Sequence, residues 1–206
     1  MNKTIFVTGI GTKVGKTVAS AVITQALEAD YFKPIQAGGL DNSDTHKVKR
    51  WVNSEKTKFH DSAYQLKTPM SPHAAAEIDG VKIKKKLSLP KTKNTLVIEG
   101  AGGLMVPIND QETIADMIPE NAKIVLVSLH YLGSINHTLL SLELLKNRGL
   151  TCKGIIFMGD ENLSTESIIK KQGKTPILGR IDQEPYIDDK VVQEYARKFK
   201  EKLKEL

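Results

Sequence analysis

A mainly parallel α/β sheet with helices on both faces is predicted by three observations. Short apolar, β-branched runs recur at residues 4–8, 94–98 and 123–129, as strands buried on both faces require. Stretches with helical periodicity stand between them, at 16–29 and 134–147. The first run leads into a glycine-rich turn that ends in Gly15-Lys16-Thr17, and an Ala/Val-rich helical stretch follows. Strands alternating with helices give a sheet covered on both sides.

The elements follow in order. Residues 4–8 read as a central strand, and 16–29 as a helix with Val18, Val22 and Ala26 on one face. The second strand is expected over 31–36, with Lys33-Pro34 marking an edge or a strand end, since proline donates no ladder hydrogen bond. Asn42-Ser43-Asp44 supplies N-cap chemistry for a helix running to about residue 52. Pro69 and Pro72 break the next stretch, Ala74-Ala75-Ala76 starts a short helix, and 82–93 is expected as a polar helix and loop. Further strands fall at 94–98, 123–129, 153–158 and 176–179, with helices at 134–147 and 163–171. A last helix starts near residue 188 and carries Val192, Tyr195, Phe199, Leu203 and Leu206 at spacings of three and four. No repeat or low-complexity linker divides residues 1–206, which read as one domain.

Composition narrows the function. The chain is 40% hydrophobic and 26% charged, the balance of a soluble globular protein. Its apolar runs are too short to span a membrane, and residues 1–8 lack the apolar core of a secretion signal, so a cytoplasmic location is expected. Cys152 is the only cysteine, which rules out an intrachain disulfide or a cysteine metal cluster. The net charge of +6 gathers in lysines at 82–86 and 198–204. Aromatic residues make up only 5% of the chain, too few for stacking on nucleic acid, so these lysines read as solvated faces. Neither a nucleic-acid nor a membrane partner is expected.

Ligands of such sheets collect at the carboxyl ends of the strands. Four segments follow strand ends, at 9–17, 33–39, 99–103 and 132–136, and are expected to share one cleft. In the first, glycines let successive N–H groups turn inward on phosphate oxygens, and the following helix N-terminus adds its dipole. Lys16 would reach the β- and γ-phosphates, and Thr17 would ligate Mg²⁺. The spacing is unusual: five residues separate Gly9 from Gly15 and three separate Gly11 from Gly15, where the common pattern has four. A nucleoside triphosphate site on a P-loop NTPase-like three-layer architecture is the reading. Glu99 closes a buried strand and is either a cap for the next turn or a magnesium ligand. Asp44 is either a plain helix cap or a second ligand, and Thr17, Asp44 and Glu99 make a sensible octahedral set with phosphate oxygens. Lys33 is either a surface lysine or a cation placed to neutralise charge near the γ-phosphate. Gly133-Ser134-Ile135-Asn136 opens a helix whose N–H groups suit a carboxylate or a phosphate. His73 and His137 are possible acid/base groups; His137, at a helix start, is either that or a packing or capping residue, and His73 sits in a loop with no metal-ligand spacing around it.

Several of these pieces together resemble the dethiobiotin synthetases, ligases of the biotin pathway. They are Phe6-Val7-Thr8-Gly9 through Gly15-Lys16-Thr17 with the family's own five-residue spacing, Lys33-Pro34-Ile35-Gln36, Asn42-Ser43-Asp44 and Ser71-Pro72-His73. Val97-Ile98-Glu99-Gly100-Ala101-Gly102-Gly103 with Pro107, and Leu132-Gly133-Ser134-Ile135-Asn136-His137, complete the set in the family's order. The resemblance implies an ATP- and Mg²⁺-dependent cyclo-ligase. In it, 7,8-diaminononanoate takes up CO₂ as a carbamate, a carbamic–phosphoric anhydride forms, and the second amine closes the cyclic urea.

By position, the resemblance makes Lys33, Lys16 and Thr12 catalytic and sets Thr12, Lys13, Val14, Gly15, Lys16, Thr17 and Val18 around the phosphates. It gives Thr17, Asp44 and Glu99 to the metal, and adds Gly100, Ala101 and Gly102 on the nucleotide. Met158, Gly159, Asp182, Gln183 and Glu184 fall at the base end. Lys33 and Ala37 bind the substrate, and Gly133, Ser134, Ile135 and Asn136 reach across a homodimer to the substrate carboxylate in the partner's site.

Four positions depart from the family. Ala37 replaces a serine or threonine, Lys13 stands where an acid is common, Met158 replaces a base-reading asparagine, and Asp182 replaces a proline. A thioether cannot make an amide's paired hydrogen bonds to adenine, so ATP, GTP or a relaxed base preference stays open. A switch ATPase of the partitioning or maturation type is the alternative. It would typically carry a further lysine near Gly11, and none is there. A small-molecule kinase would want an arginine-rich lid, whereas Arg50, Arg148, Arg180 and Arg197 are scattered.

Overall fold

The computed structural model describes residues 3–206. The expected absence of a leader in residues 1–8 concerns in part Met1 and Asn2, which lie outside the described residues. The elements are β1 (Thr4–Gly9), α1 (Lys16–Leu27), β2 (Asp30–Phe32), β3 (Ile35–Ala37), α2 (Asp44–Trp51), β4 (Phe59–His60), β5 (Tyr64–Leu66), α3 (Pro72–Ile78), β6 (Leu96–Gly103), β7 (Lys123–Leu129), α4 (Ser134–Asn147), β8 (Cys152–Met158), α5 (Leu163–Gly173), β9 (Ile177–Ile181) and α6 (Asp189–Lys204).

Seven strands form one sheet in the order β4-β2-β6-β1-β7-β8-β9, and every pairing in it is parallel. One face carries α1, α2 and α6, where Ile5, Val7, Val22, Ile23, Tyr195 and Phe199 are buried together. On the other face Phe6, Ile98, Leu126, Phe157, Leu145 and Ile169 pack the sheet against α4 and α5. The result is the expected three-layer arrangement, with β1 at its centre.

Two departures from the expected elements matter for the site. The strand expected over 31–36 is two strands. Pro34 cannot donate, so β2 ends at Phe32 and the chain leaves the main sheet. It continues as β3 in a small second sheet paired with β5, and Lys33 is left at the fork. The strand expected at 94–98 is β6 and runs on to Gly103, so Glu99 lies within it rather than at its end. Between Val7 and Gly9 β1 advances two residues while its partner advances from Glu99 to Gly103. The resulting bulge lifts residues 100–102 towards the phosphate loop, with Gly102 at a φ of 65° that favours glycine.

The helix expected within 82–93 does not form. Neighbouring lysines repel along a helix face, and Pro90 ends any helix before it. Instead Ile83 is buried as an anchor, and its carbonyl accepts a hydrogen bond from Asn109 Nδ2 at 3.1 Å. α6 is capped by Asp188, whose side chain accepts from Val191 N at 2.9 Å. Of its predicted stripe Val192, Tyr195, Phe199 and Leu203 are buried, while Leu206 lies past the end of the helix and is half-buried.

Candidate active site

A crevice of about 780 Å³ opens at the carboxyl ends of β1, β2 and β6. Residues 12–18 form its floor, Lys33, Ala37 and Asp44 one wall, and Glu99, Ala101 and Gly102 the other. Gly15 begins α1 with φ 91°, and a Cβ there would lie 2.6 Å from Met158 Cε, so only glycine lets the loop rest on that side chain. Lys16 folds back over the loop, its Nζ donating to the Gly11 carbonyl at 2.7 Å.

The charged centre is built on β2 and β6. These strands pair in register, Tyr31 with Val97 and Phe32 with Ile98, which brings Lys33 beside Glu99. Lys33 Nζ lies 2.8 Å from Glu99 Oε1 and 3.0 Å from Asp44 Oδ2, and it donates to the Gly100 carbonyl at 3.1 Å. Thr17 Oγ1 donates to the same Glu99 Oε1 at 3.0 Å. The Lys33 and Glu99 side chains are only 5% and 1% exposed. Burial alone would lower the lysine, but Glu99 and Asp44 outweigh it and hold Lys33 above its ordinary pKa. Burial and the charge on Lys33 push Lys16 down to about 8. Asp44 is raised by burial but brought below its ordinary value by Lys33 and Lys47.

Asp44 is free for this contact because Ser43 is the cap of α2, its Oγ accepting from His46 N. Asp44 is steadied by two residues that sequence reasoning did not single out as site residues. Lys47 lies 3.2 Å from Oδ1, and Gln36 Oε1 accepts from Asp44 N at 3.1 Å. The (i, i+3) spacing of Asp44 and Lys47 was the available signal for the first.

The expectation that four strand-end segments share one cleft is corrected for the fourth. Gly133, Ser134, Ile135 and Asn136 open α4 at the same edge of the sheet but lie outside the lining of this crevice. Ser134 is buried, its N–H donating to the Tyr131 carbonyl, while Ile135 and Asn136 are exposed. Met158, Gly159, Asp182, Gln183 and Glu184 also lie outside the lining, at the ends of β8 and β9. Met158 is buried against Gly15, and Gly159 N donates to the Ile181 carbonyl at 2.9 Å. Tyr195 Oη donates to Glu184 at 2.6 Å and to Asp182 at 3.3 Å, and Arg180 pairs with Asp182 at 2.8 Å. His73 Nδ1 sits 3.1 Å from Ser71 Oγ, and His137 Nδ1 2.7 Å from Tyr131 Oη.

Among known proteins, a family model described as an AAA domain matches residues 3–191. The ATP-dependent dethiobiotin synthetase BioD of Christiangramia forsetii is 59% identical over the whole of both chains. That of Cytophaga hutchinsonii is 46% identical over 96% of this chain and 97% of its own. In fold the chain is similar to MinD of the Aquifex aeolicus MinC:MinD complex, with TM-score 0.61, 16% identity and coverage of 99% and 96%. A putative plasmid partition protein of Borrelia burgdorferi also gives TM-score 0.61, at 12% identity and coverage of 100% and 98%. The cell-division and partition proteins thus share the architecture alone, while identity over the full length lies with the dethiobiotin synthetases. The chain belongs to the dethiobiotin synthetase family.

Proposed function

We propose that this chain makes the cyclic urea of dethiobiotin from 7,8-diaminononanoate, CO₂ and ATP, and that it does so in the crevice above the phosphate loop. The observation that carries the reading is the Lys33 ammonium buried between Glu99 and Asp44, beside Thr17 and Lys16. Burying these charges is costly, and apolar residues would hold a fold as well. An arrangement of that kind has its use in chemistry on an anion.

In the proposed reaction one amine of the substrate adds to CO₂ and loses a proton, giving a carbamate. A carbamate oxygen attacks the γ-phosphorus, ADP leaves, and a carbamic–phosphoric anhydride results. The second amine attacks the carbonyl carbon and expels phosphate, closing the ring. Phosphoryl transfer of this kind depends on positioning and charge neutralisation, so the chain needs no nucleophile of its own. Backbone N–H groups of residues 12–18 and the N-terminus of α1 would cradle the phosphates, with Thr12 at the rim beside Gly102. Lys16 exchanges the Gly11 carbonyl for phosphate oxygens. Lys33 balances the charge shared by carbamate and phosphoryl group. Gly100, Ala101 and Gly102 close the nucleotide side, and Ala37 faces the substrate.

Magnesium fits the donors present. Two carboxylates and a hydroxyl are hard oxygen ligands, and Glu99 Oε1 and Asp44 Oδ2 already face one cation, the Lys33 ammonium. Thr17, Asp44 and Glu99 would hold Mg²⁺, which when bound supplies positive charge to the phosphate oxygens.

The base end follows Met158, Gly159, Asp182, Gln183 and Glu184. The Met158 thioether is turned to Gly15, and the Asp182 and Glu184 carboxylates are engaged by Tyr195, which supports weak discrimination between ATP and GTP. Gly133, Ser134, Ile135 and Asn136 would bind the substrate carboxylate across a homodimer. The exposed apolar side chains of Met105, Leu132, Ile135 and Leu140 support that assembly, with Leu132 fully exposed. The proposal takes residues 1–206 as one domain working in the cytoplasm, the compartment that holds ATP. No helix among the described residues is long and apolar enough to cross a membrane.

The test is phosphate release. With Mg²⁺ and ATP, the protein should release phosphate only when both the diamine and bicarbonate are present. Hydrolysis at a similar rate without diamine would favour the switch ATPase instead.

A further inference from the structure

Tyr31 lies in the middle of β2 and is completely buried. A buried phenol keeps its hydroxyl only at the cost of a hydrogen bond that must be found inside the protein. Tyr31 finds it on Glu99, donating to Oε2 at 2.8 Å. The other oxygen, Oε1, is the one that Lys33 and Thr17 approach at 2.8 and 3.0 Å. The two oxygens of one carboxylate are thus divided, one bound inside the core and one presented to the crevice.

The division follows from the register. Side chains alternate along an extended chain, so Lys33, one residue past the end of β2, points to the same side as Tyr31, as Val97 and Glu99 share a face of β6. Pairing Tyr31 with Val97 therefore lays the phenol beneath Glu99 and the ammonium beside it. The ring cannot shift to release the carboxylate, because strands run on both sides of it and Phe59 packs against it at 6.5 Å between centroids. Lys33 and Thr17 are different: a flexible amine and a rotating hydroxyl can both leave Oε1 when a ligand enters. Of the three donors on Glu99, only Tyr31 is fixed.

We infer that Tyr31 is a positioning residue for the reaction: its hydroxyl locks the Glu99 carboxylate so that Oε1 stays aimed at the cation and phosphate side of the crevice. This rests on the reading of Glu99 as a metal ligand. Without the hydroxyl, Oε2 has no donor and the carboxylate turns to share its remaining partners, which takes Oε1 out of line. Tyr31 is fully buried and is not part of the crevice lining, so its influence on the reaction passes through Glu99.

The test is Mn²⁺ affinity in the presence of a non-hydrolysable ATP analogue, followed by electron paramagnetic resonance. Tyr31→Phe, Glu99→Gln and the double variant are compared with the parent, all well below their melting midpoints. Tyr31→Phe removes one atom and keeps the ring, so binding of the analogue without metal should not change. Its Mn²⁺ dissociation constant should rise about tenfold, the scale typical of partners that orient a ligating carboxylate. The double variant should bind no more weakly than Glu99→Gln alone, because the tyrosine has nothing left to orient. A Tyr31→Phe protein that melts lower but binds Mn²⁺ within twofold of the parent makes the hydroxyl merely structural and overturns the inference. Losses that multiply in the double variant also overturn it. Unchanged Mn²⁺ affinity in Glu99→Gln instead overturns the assignment of Glu99 on which the inference stands.

Discussion

Asp30 and Glu99 are both buried acids, each 1% exposed, and they sit at opposite ends of the stretch over which β2 and β6 pair. Asp30 begins β2 at the end of the sheet away from the crevice. Its carboxylate accepts from Lys58 N at 3.0 Å and Asn94 Nδ2 at 3.2 Å, and pairs with His60 Nε2 at 3.1 Å. These donors are a backbone amide and short side chains held by neighbouring segments. Glu99 has equal burial, but on its open side the donors are a lysine and a threonine hydroxyl lining a cavity. The contrast teaches that burial alone does not distinguish a structural acid from a functional one. What distinguishes them is whether the partners can let go.

Removing the crevice cation should have the largest effect. Lys33→Ala should lower turnover about 10³-fold while nucleotide binding survives, measured by phosphate release and by calorimetry. Unchanged turnover would put Lys33 in the same structural class as His60. At the other end, Asp30→Asn should leave turnover within about twofold yet cost about 2 kcal/mol of stability, because a buried donor loses its acceptor. Thermal denaturation should show a midpoint lower by about 4–8 °C.

Acid sharpens the comparison. Burial would raise Asp30, but the donors from Thr92, Lys58, His60 and Asn94 bring it below its ordinary value of 3.8. The folded state therefore binds this proton at lower pH than the unfolded chain does. The stability that Asp30 contributes is complete above the ordinary value and is lost as pH falls through the folded one. In urea melts between pH 5 and 2, Asp30→Asn should have an acid slope shallower by up to about 1.4 kcal/mol per pH unit.

The crevice end should instead respond to ligand. Lys16, at about 8, is mostly neutral at pH 8.5, and a bound triphosphate favours its charged form. ATP binding at pH 8.5 should take up part of a proton, seen by calorimetry in buffers of different ionisation enthalpy, and the uptake should vanish near pH 6.5. The smallest expected effect is at Ala37. Restoring a hydroxyl with Ala37→Ser should improve KM for the diamine by about fivefold, roughly 1 kcal/mol, with kcat little changed.

The same contrast explains what the sequence could reveal. β1, β7 and β8 were legible because strands buried on both faces must be continuously apolar. Thr17, Lys33, Asp44 and Glu99 could be brought together in advance, although 82 residues separate Thr17 from Glu99, because parallel strands present their carboxyl ends on one side. β4 and β5 have two and three residues, too few for periodicity to show. The helix expected within 82–93 came from counting polar residues, where a single buried Ile83 decides the path. Tyr31 stayed hidden because an aromatic in a strand is accounted for by packing, and only coordinates reveal what its hydroxyl meets. Asn136 and its neighbours lie at the expected edge of the sheet but outside the lining of this chain's crevice, since alternation of strands and helices does not say how far apart two strand ends lie.

Pro34 has one more consequence. By ending β2 it hangs the two walls of the crevice on supports of unequal stiffness. Glu99 belongs to a strand clasped between β2 and β1 deep in seven strands, whereas Ala37 belongs to a pair of three-residue strands with few bonds to lose. When molecules of differing bulk enter, the yielding should fall on the Ala37 side, and the phosphate-handling side should keep its shape.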